Sequence, residues 1–213
     1  MKIAILLPYK ENFSPQYPGA VSLFVNETSK ISSYKKDIVV FGSTDFKKKF
    51  NLKYINIKSR RYPFESQTKH YVNKFVELQN LHNFSIIEIH NRPSYINILS
   101  SKIKNKVFSL YFHNDPLSMK GSKSVKERLN LLENVEKIIF VSEWVRERFF
   151  LDIDQKLKTK TEVVYPSVNK QKKIKKEKNI IFVGRLNYSK GYDIYKDAVL
   201  RILDKYPRWT AYS

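Results

Sequence analysis

The residues best suited to chemistry stand near the end of the chain. An apolar run over 180–183 leads into Gly184, Arg185 follows at once, and Lys190-Gly191 sits at the head of a helical pattern. These residue types fit a diphosphate. Glycine lets backbone approach a ligand closely. Arginine offers a planar fork of donors and lysine a compact point charge, and a helix start favours anions. Spacing alone gives equal weight to a plain strand–loop–helix joint that carries a surface Arg and Lys.

Two further groups end apolar runs. His113-Asn114-Asp115 follows the run over 107–112, and His90-Asn91-Arg92 closes the run over 84–90. Both therefore fall at the carboxyl edge of a parallel sheet, where open α/β sheets bind ligands. A lone histidine is more often structural than functional, so His113 has both readings at this point. His70 and His82 fall in a helical pattern and read as surface or packing residues. Asp152-Ile153-Asp154 has the Asp-X-Asp form of a metal motif, but it follows a helix, away from the strand ends. There is no Gly-X-Gly-X-X-Gly after the first run, no Walker loop and no nucleophile elbow. The chain has no cysteine, which excludes disulfides and thiolate metal sites. No metal and no cofactor are expected.

The elements that must position these residues alternate strand and helix, the pattern of βαβ units and a parallel sheet. Strands are predicted over 2–7, 37–42, 53–57, 84–90, 107–112, 137–141 and 161–165. The first does not alternate polar and apolar residues, as expected of a strand covered on both faces. Helices are predicted just after Gly19, over 66–81, from Pro93, over 124–132, and from a Ser142 cap through Phe150. The run 169–178 is almost wholly polar, rich in lysine, and reads as a basic linker. Beyond it a strand over 179–183 and a helix over 192–205 restart the pattern, and 207–213 reads as the opening of another strand. The expected class is α/β: a Rossmann-like domain over 1–168, then the start of a second Rossmann-like domain over 179–213. A single βα unit cannot bury both its faces, so the second domain reads as cut off.

The run Ile180-Ile181-Phe182-Val183-Gly184-Arg185-Leu186 with Lys190-Gly191 resembles the opening of the second domain of retaining glycosyltransferases of family 4, which have the two-domain GT-B architecture. Val141-Ser142-Glu143 and the segment 163–169 resemble the parts that close the first domain, although Ser167 stands where the family usually has glycine. The resemblance spans essentially the whole chain, by layout more than by identity in its first half. It implies a nucleoside-diphosphate sugar as donor, with Arg185 and Lys190 on the diphosphate beside Gly184. It implies that His113 contacts the donor sugar near the reacting centre. Gly19 matches the first glycine of a pair that lets backbone approach phosphate or acceptor, but Ala20 stands in the second place. Asn91, Arg92, Asn114 and Asp115 become acceptor-side candidates. The acidic pair that the family carries on a later helix is absent from this sequence, so the 213-residue chain is expected to be inactive alone.

Charge bounds the partners. Lys and Arg total 40 against 20 acidic residues, a net charge of +20. Such a surplus favours anionic partners, although a lysine-rich coding bias produces it equally well. A glycan or lipid-linked acceptor in surface polysaccharide or lipopolysaccharide synthesis would suit it, with peripheral contact at an anionic membrane. The apolar start is too short for a signal peptide core, and no segment approaches a membrane span, so a cytoplasmic location is expected. The 14 Tyr and 14 Phe scatter at core spacing and form no stacking platform, so nucleic acid is not expected. A non-enzymatic basic α/β module that binds nucleic acid or anionic lipid is the alternative, and a GT-B epimerase a lesser one.

Overall fold

The computed structural model describes residues 1–58, 66–168 and 175–213. It divides into two compact units, Met1–Pro166 and Ser167–Ser213. Part of the segment read as a basic linker, residues 169–174, lies outside the described residues.

The first unit is built on a parallel sheet of seven strands: β1 (Ile3–Leu6), β2 (Ile38–Gly42), β3 (Lys53–Asn56), β4 (Ile86–His90), β5 (Val107–Phe112), β6 (Lys137–Phe140) and β7 (Thr161–Val163). The order across the sheet is β3-β2-β1-β4-β5-β6-β7. The chain thus runs outward from β1 in one direction and then, from β4, in the other. A crevice opens above the carboxyl ends of β1 and β4 at that reversal.

Both faces of the sheet are buried, which accounts for the unbroken apolar run of β1. Ala4 and Leu6 join one core, with Tyr71 and Phe75 of α2 (Gln67–Asn80), Tyr95 and Leu99 of α3 (Ser94–Lys102), Leu131 of α4 (Val125–Asn134) and Phe149 of α5 (Glu143–Phe149). Ile5 and Leu7 point the other way, with Val21 and Val25 of α1 (Ala20–Ile31). Each buried Val, Leu, Ile or Phe among them contributes about 1.5–3 kcal/mol by leaving water.

Helix starts follow local chemistry. The Ser66 side chain accepts from the Lys69 N–H, and the Ser142 side chain from that of Val145. Ser124 and Glu127 form a reciprocal capping box at α4, satisfying N–H groups that have no partner inside the helix. Several boundaries differ from the sequence reading. Pro93 precedes α3 as its cap, β7 ends at Val163, and His82 lies beyond the end of α2. The chain turns out of β7 toward Pro166, whose missing N–H cannot extend a ladder.

The second unit pairs β8 (Asn179–Ile181) with β9 (Thr210–Tyr212) in parallel, joined by α6 (Tyr192–Lys205). The Tyr195 hydroxyl donates to the Tyr212 carbonyl at 2.7 Å, and Phe182 packs its ring against Tyr192 and Tyr195. Among the described residues of this unit, Val199 is the one buried hydrophobic side chain. Among the described residues, no helix is long and apolar enough to cross a membrane.

Candidate functional site

A cavity of about 410 Å³ lies at the carboxyl edge of the first sheet, lined among others by Glu11, Phe24, Asn91, His113, Asn114 and Val141. The strands place these residues. β4 delivers His90 and Asn91, and the next strand across, β5, delivers His113 and Asn114. Asn91 adopts a left-handed φ of 55°, which asparagine tolerates better than most residues. The turn lets its N–H reach the Tyr111 carbonyl at 2.7 Å while its side-chain oxygen accepts from the His113 N–H at 3.3 Å.

His113 is held by a second histidine. His90 Nδ1 lies 2.9 Å from His113 Nε2, and His90 Nε2 lies 2.6 Å from a Glu88 oxygen. Tyr111 stacks on His90 with centroids 4.6 Å apart, and the Phe24 ring meets His113 edge-on at 5.0 Å. Burial, then the neighbouring His90, bring the His113 imidazole down from 6.5 to about 3. Its ring is therefore neutral, able to donate or accept one hydrogen bond on each side according to its tautomer. Burial also pushes the Tyr111 phenol well up, with Glu88 adding to the shift.

A larger cavity, about 680 Å³, lies beside the first. Lys69 near the start of α2, Arg92, Ser94 and Asn97 around the start of α3, and Lys120 line it. Asn91 lines both cavities and forms their common wall. The Arg92 guanidinium donates to the Asn91 carbonyl at 2.8 Å. Its polar lining of hydroxyls, amides and three cations, with Glu127 as the one carboxylate, suits a polar ligand.

Other candidates have local duties. Asp115 accepts from the Leu117 N–H at 3.0 Å and pairs with Arg148 at 3.1 Å. Burial works against its charge, but the Arg148 hydrogen bond and the Leu117 N–H outweigh that and hold its carboxyl below the usual value. Gly19 caps α1, and its N–H is aimed at the Asn12 carbonyl at 3.4 Å. A Glu11 oxygen accepts from the Ser22 N–H at 2.9 Å, so a carboxylate already sits at the helix start. Asp154 caps the short turn Gln155–Lys160, and Asp152 takes a left-handed φ of 61°. Among the described residues, no group of three or more His, Asp or Glu could hold a metal ion.

In the second unit Gly191 has a left-handed φ of 72°, which glycine adopts without strain, and it turns the chain from Tyr188–Lys190 into α6. That turn folds the loop back on itself: a Cβ placed on Gly184 would lie 3.8 Å from that of Lys190. Arg185 and Lys190 are both exposed, and Lys190 immediately precedes the Gly191 cap of α6.

Glu88, Phe24 and Glu11 had escaped the sequence reading. The signal for Glu88 was present, since residues two apart on a strand share a face and His90 lies two beyond it. Glu11 carried none, because a loop carboxylate that folds back on a helix start has no fixed spacing.

Fold and site together define an α/β protein of the Rossmann-like class with a cavity at the carboxyl edge of its sheet. No family model matches the chain. It is 23% identical over 227 residues to YtcC of Bacillus subtilis strain 168, a candidate glycosyltransferase, covering 97% of this chain and 54% of that protein. It is 22% identical over 232 residues to spore coat protein SA of the same organism, covering 97% of this chain and 59% of that protein. The chain thus spans little more than half the length of the curated relatives it matches. Among solved structures it resembles Anabaena HepE in complex with UDP and glucose, with a TM-score of 0.66 and 17% identity over 99% of this chain and 60% of that one. UDP-GlcNAc 2-epimerase from Methanocaldococcus jannaschii gives a TM-score of 0.60 at 9% identity over 100% of this chain and 65% of the other. At these identities the likeness establishes the fold.

Proposed function

We propose that the chain belongs to a GT-B glycosyltransferase that moves a sugar from a nucleoside-diphosphate donor to an acceptor held by the first unit. The observation that carries this reading is the Gly184–Gly191 turn, which holds Gly184 near Lys190 ahead of α6 and leaves both Arg185 and Lys190 exposed. The names of two neighbours support it: YtcC is described as a candidate glycosyltransferase, and HepE was crystallised with UDP and glucose.

When the donor's glycosidic bond breaks, charge develops on the departing diphosphate. Arg185 and Lys190 would stabilise that charge in place of a metal. The neutral His113 ring would hydrogen-bond the donor sugar in the smaller cavity, beside Asn91 and Asn114. The larger cavity, with Lys69, Arg92 and Lys120, would take the acceptor, and Asn91 would stand where the two meet. Retention at the anomeric carbon, a phosphorylated glycan or lipid-linked acceptor in surface polysaccharide or lipopolysaccharide synthesis, and work at the inner face of a membrane complete the proposal. The whole reaction is proposed for a chain of the relatives' length, in which further elements grip the nucleoside and cover the second unit.

The test is titration of the protein with UDP-glucose and other nucleotide sugars. Arg185→Ala and Lys190→Ala are each expected to weaken diphosphate binding about tenfold or more, as the loss of a charge-assisted hydrogen bond implies. Unchanged affinity in both variants would remove the donor role. Salt separates this reading from a basic nucleic-acid module, because binding to a phosphate backbone falls by orders of magnitude between low and physiological salt. Conversion of donor to an isomer without transfer would favour an epimerase.

A further inference from the structure

The Glu88–His90–His113 chain has a consequence for the proton on His113. Glu88 and His90 sit two residues apart on one face of β4, and His113 follows the strand beside it. His90 is fully buried, and both of its ring nitrogens are engaged, Nε2 with Glu88 at 2.6 Å and Nδ1 with His113 Nε2 at 2.9 Å. A carboxylate only accepts hydrogen bonds, so the Glu88 contact places a hydrogen on His90 Nε2. When that is the one proton His90 carries, its Nδ1 is a bare acceptor. His113 must answer with a hydrogen on Nε2, which leaves its own Nδ1 bare. Among the described residues, no partner engages His113 Nδ1, and that nitrogen is not among the buried atoms lacking one. It is left for a ligand in the cavity that His113 lines.

We propose that Glu88 and His90 are positioning residues that lock His113 in its Nε2–H tautomer, so that it meets a ligand hydroxyl as an acceptor and never as a donor. The order of protons is set from the buried end: the carboxylate fixes His90, and His90 fixes His113. Tyr111 stacked on His90, and Phe24 edge-on to His113, hold the two rings in register. A ligand group with a hydroxyl, such as a sugar, satisfies the bare nitrogen. An ether or carbonyl oxygen in the same place does not. The residue roles rest on the Glu88–His90–His113 contacts with each imidazole carrying one proton. Their use on a donor sugar rests on the function proposed above.

Long-range 1H–15N correlation spectra of 15N-histidine-labelled protein at neutral pH read the tautomer directly. His113 is expected in the Nε2–H form, with the shift of a bare nitrogen at Nδ1. The Nδ1–H form in the unmutated protein would overturn the proposal before any variant is made. Glu88→Ala and His90→Phe, each checked for folding by circular dichroism, are expected to move both His113 nitrogens to averaged shifts as the tautomers mix. Unmoved His113 shifts in a folded variant would assign Glu88 and His90 a packing role and overturn it also. Titration with UDP-glucose then separates the two readings. The tautomer result without donor binding by a chain of the relatives' length sinks the glycosyltransferase function and leaves the proton chain. Donor binding with the opposite tautomer does the reverse.

Discussion

At His113 the fold works against a charge, and that has a measurable cost. The ring's folded value, about 3, lies below the ordinary 6.5 because burial and then His90 disfavour the imidazolium. Above 6.5 the ring is neutral both folded and unfolded, and its contribution to stability is complete. As pH falls from 6.5 toward 3 the unfolded chain takes up a proton that the folded one refuses, so stability is lost at about 1.4 kcal/mol per pH unit. His113→Gln keeps a polar side chain without this penalty. Between pH 7 and pH 5 the unmutated protein is expected to lose about 2 kcal/mol more than the variant in urea denaturation, the other titrating groups cancelling in the difference. Equal losses would mean that the His113 imidazole is hydrated in the folded state.

Among the elements, α1 depends on a contact that local sequence does not announce. Its start lacks a side-chain cap from Gly19, and Glu11 supplies the acceptor for Ser22 instead. A Cβ at Gly19 would fall 1.8 Å from the Glu11 carboxylate, so Gly19→Ala must expel it. The backbone at Gly19, φ −75° and ψ 160°, suits alanine, which isolates the lost cap as the cause. Gly19→Ala and Glu11→Ala are each expected to cost about 1 kcal/mol, the usual worth of an N-cap. The double variant should cost little more than either, since both remove one contact. Full additivity in denaturant melts would separate the two residues. The same contrast explains what was legible in the sequence. The β1 run, the Ser142 cap and the helix over 192–205 are each written in neighbouring residues, and so is the α/β class. His113 at a strand end was legible for the same reason. Its partner His90 lies 23 positions away, and Arg148 lies 33 from Asp115. Those contacts depend on strand order and packing, which no local pattern encodes.

For the whole molecule, the two units differ in how much apolar surface they bury. The first packs two cores against its sheet. The second leaves Ile181, Val183, Ile194 and Leu200 exposed at 60% or more. Resistance to opening grows with buried apolar contacts, so stability should not be uniform along the chain. Amide exchange read by mass spectrometry is expected to be fast in α6 and slow in β4 and β5, by about a hundredfold or more. Equal protection would mean that the exposed side chains are covered in solution, by a second copy of the chain for instance. The same measurement reaches the proposed function. A nucleotide sugar at about a hundred times its dissociation constant stabilises the state that binds it by about 2.7 kcal/mol. If Arg185 and Lys190 hold its diphosphate, exchange in 184–205 should slow by up to about a hundredfold, and Arg185→Ala should cut that protection about tenfold or more at the same ligand concentration. Protection confined to the first unit would place the ligand on the His113 and Asn91 cavities alone and remove the diphosphate role from the second.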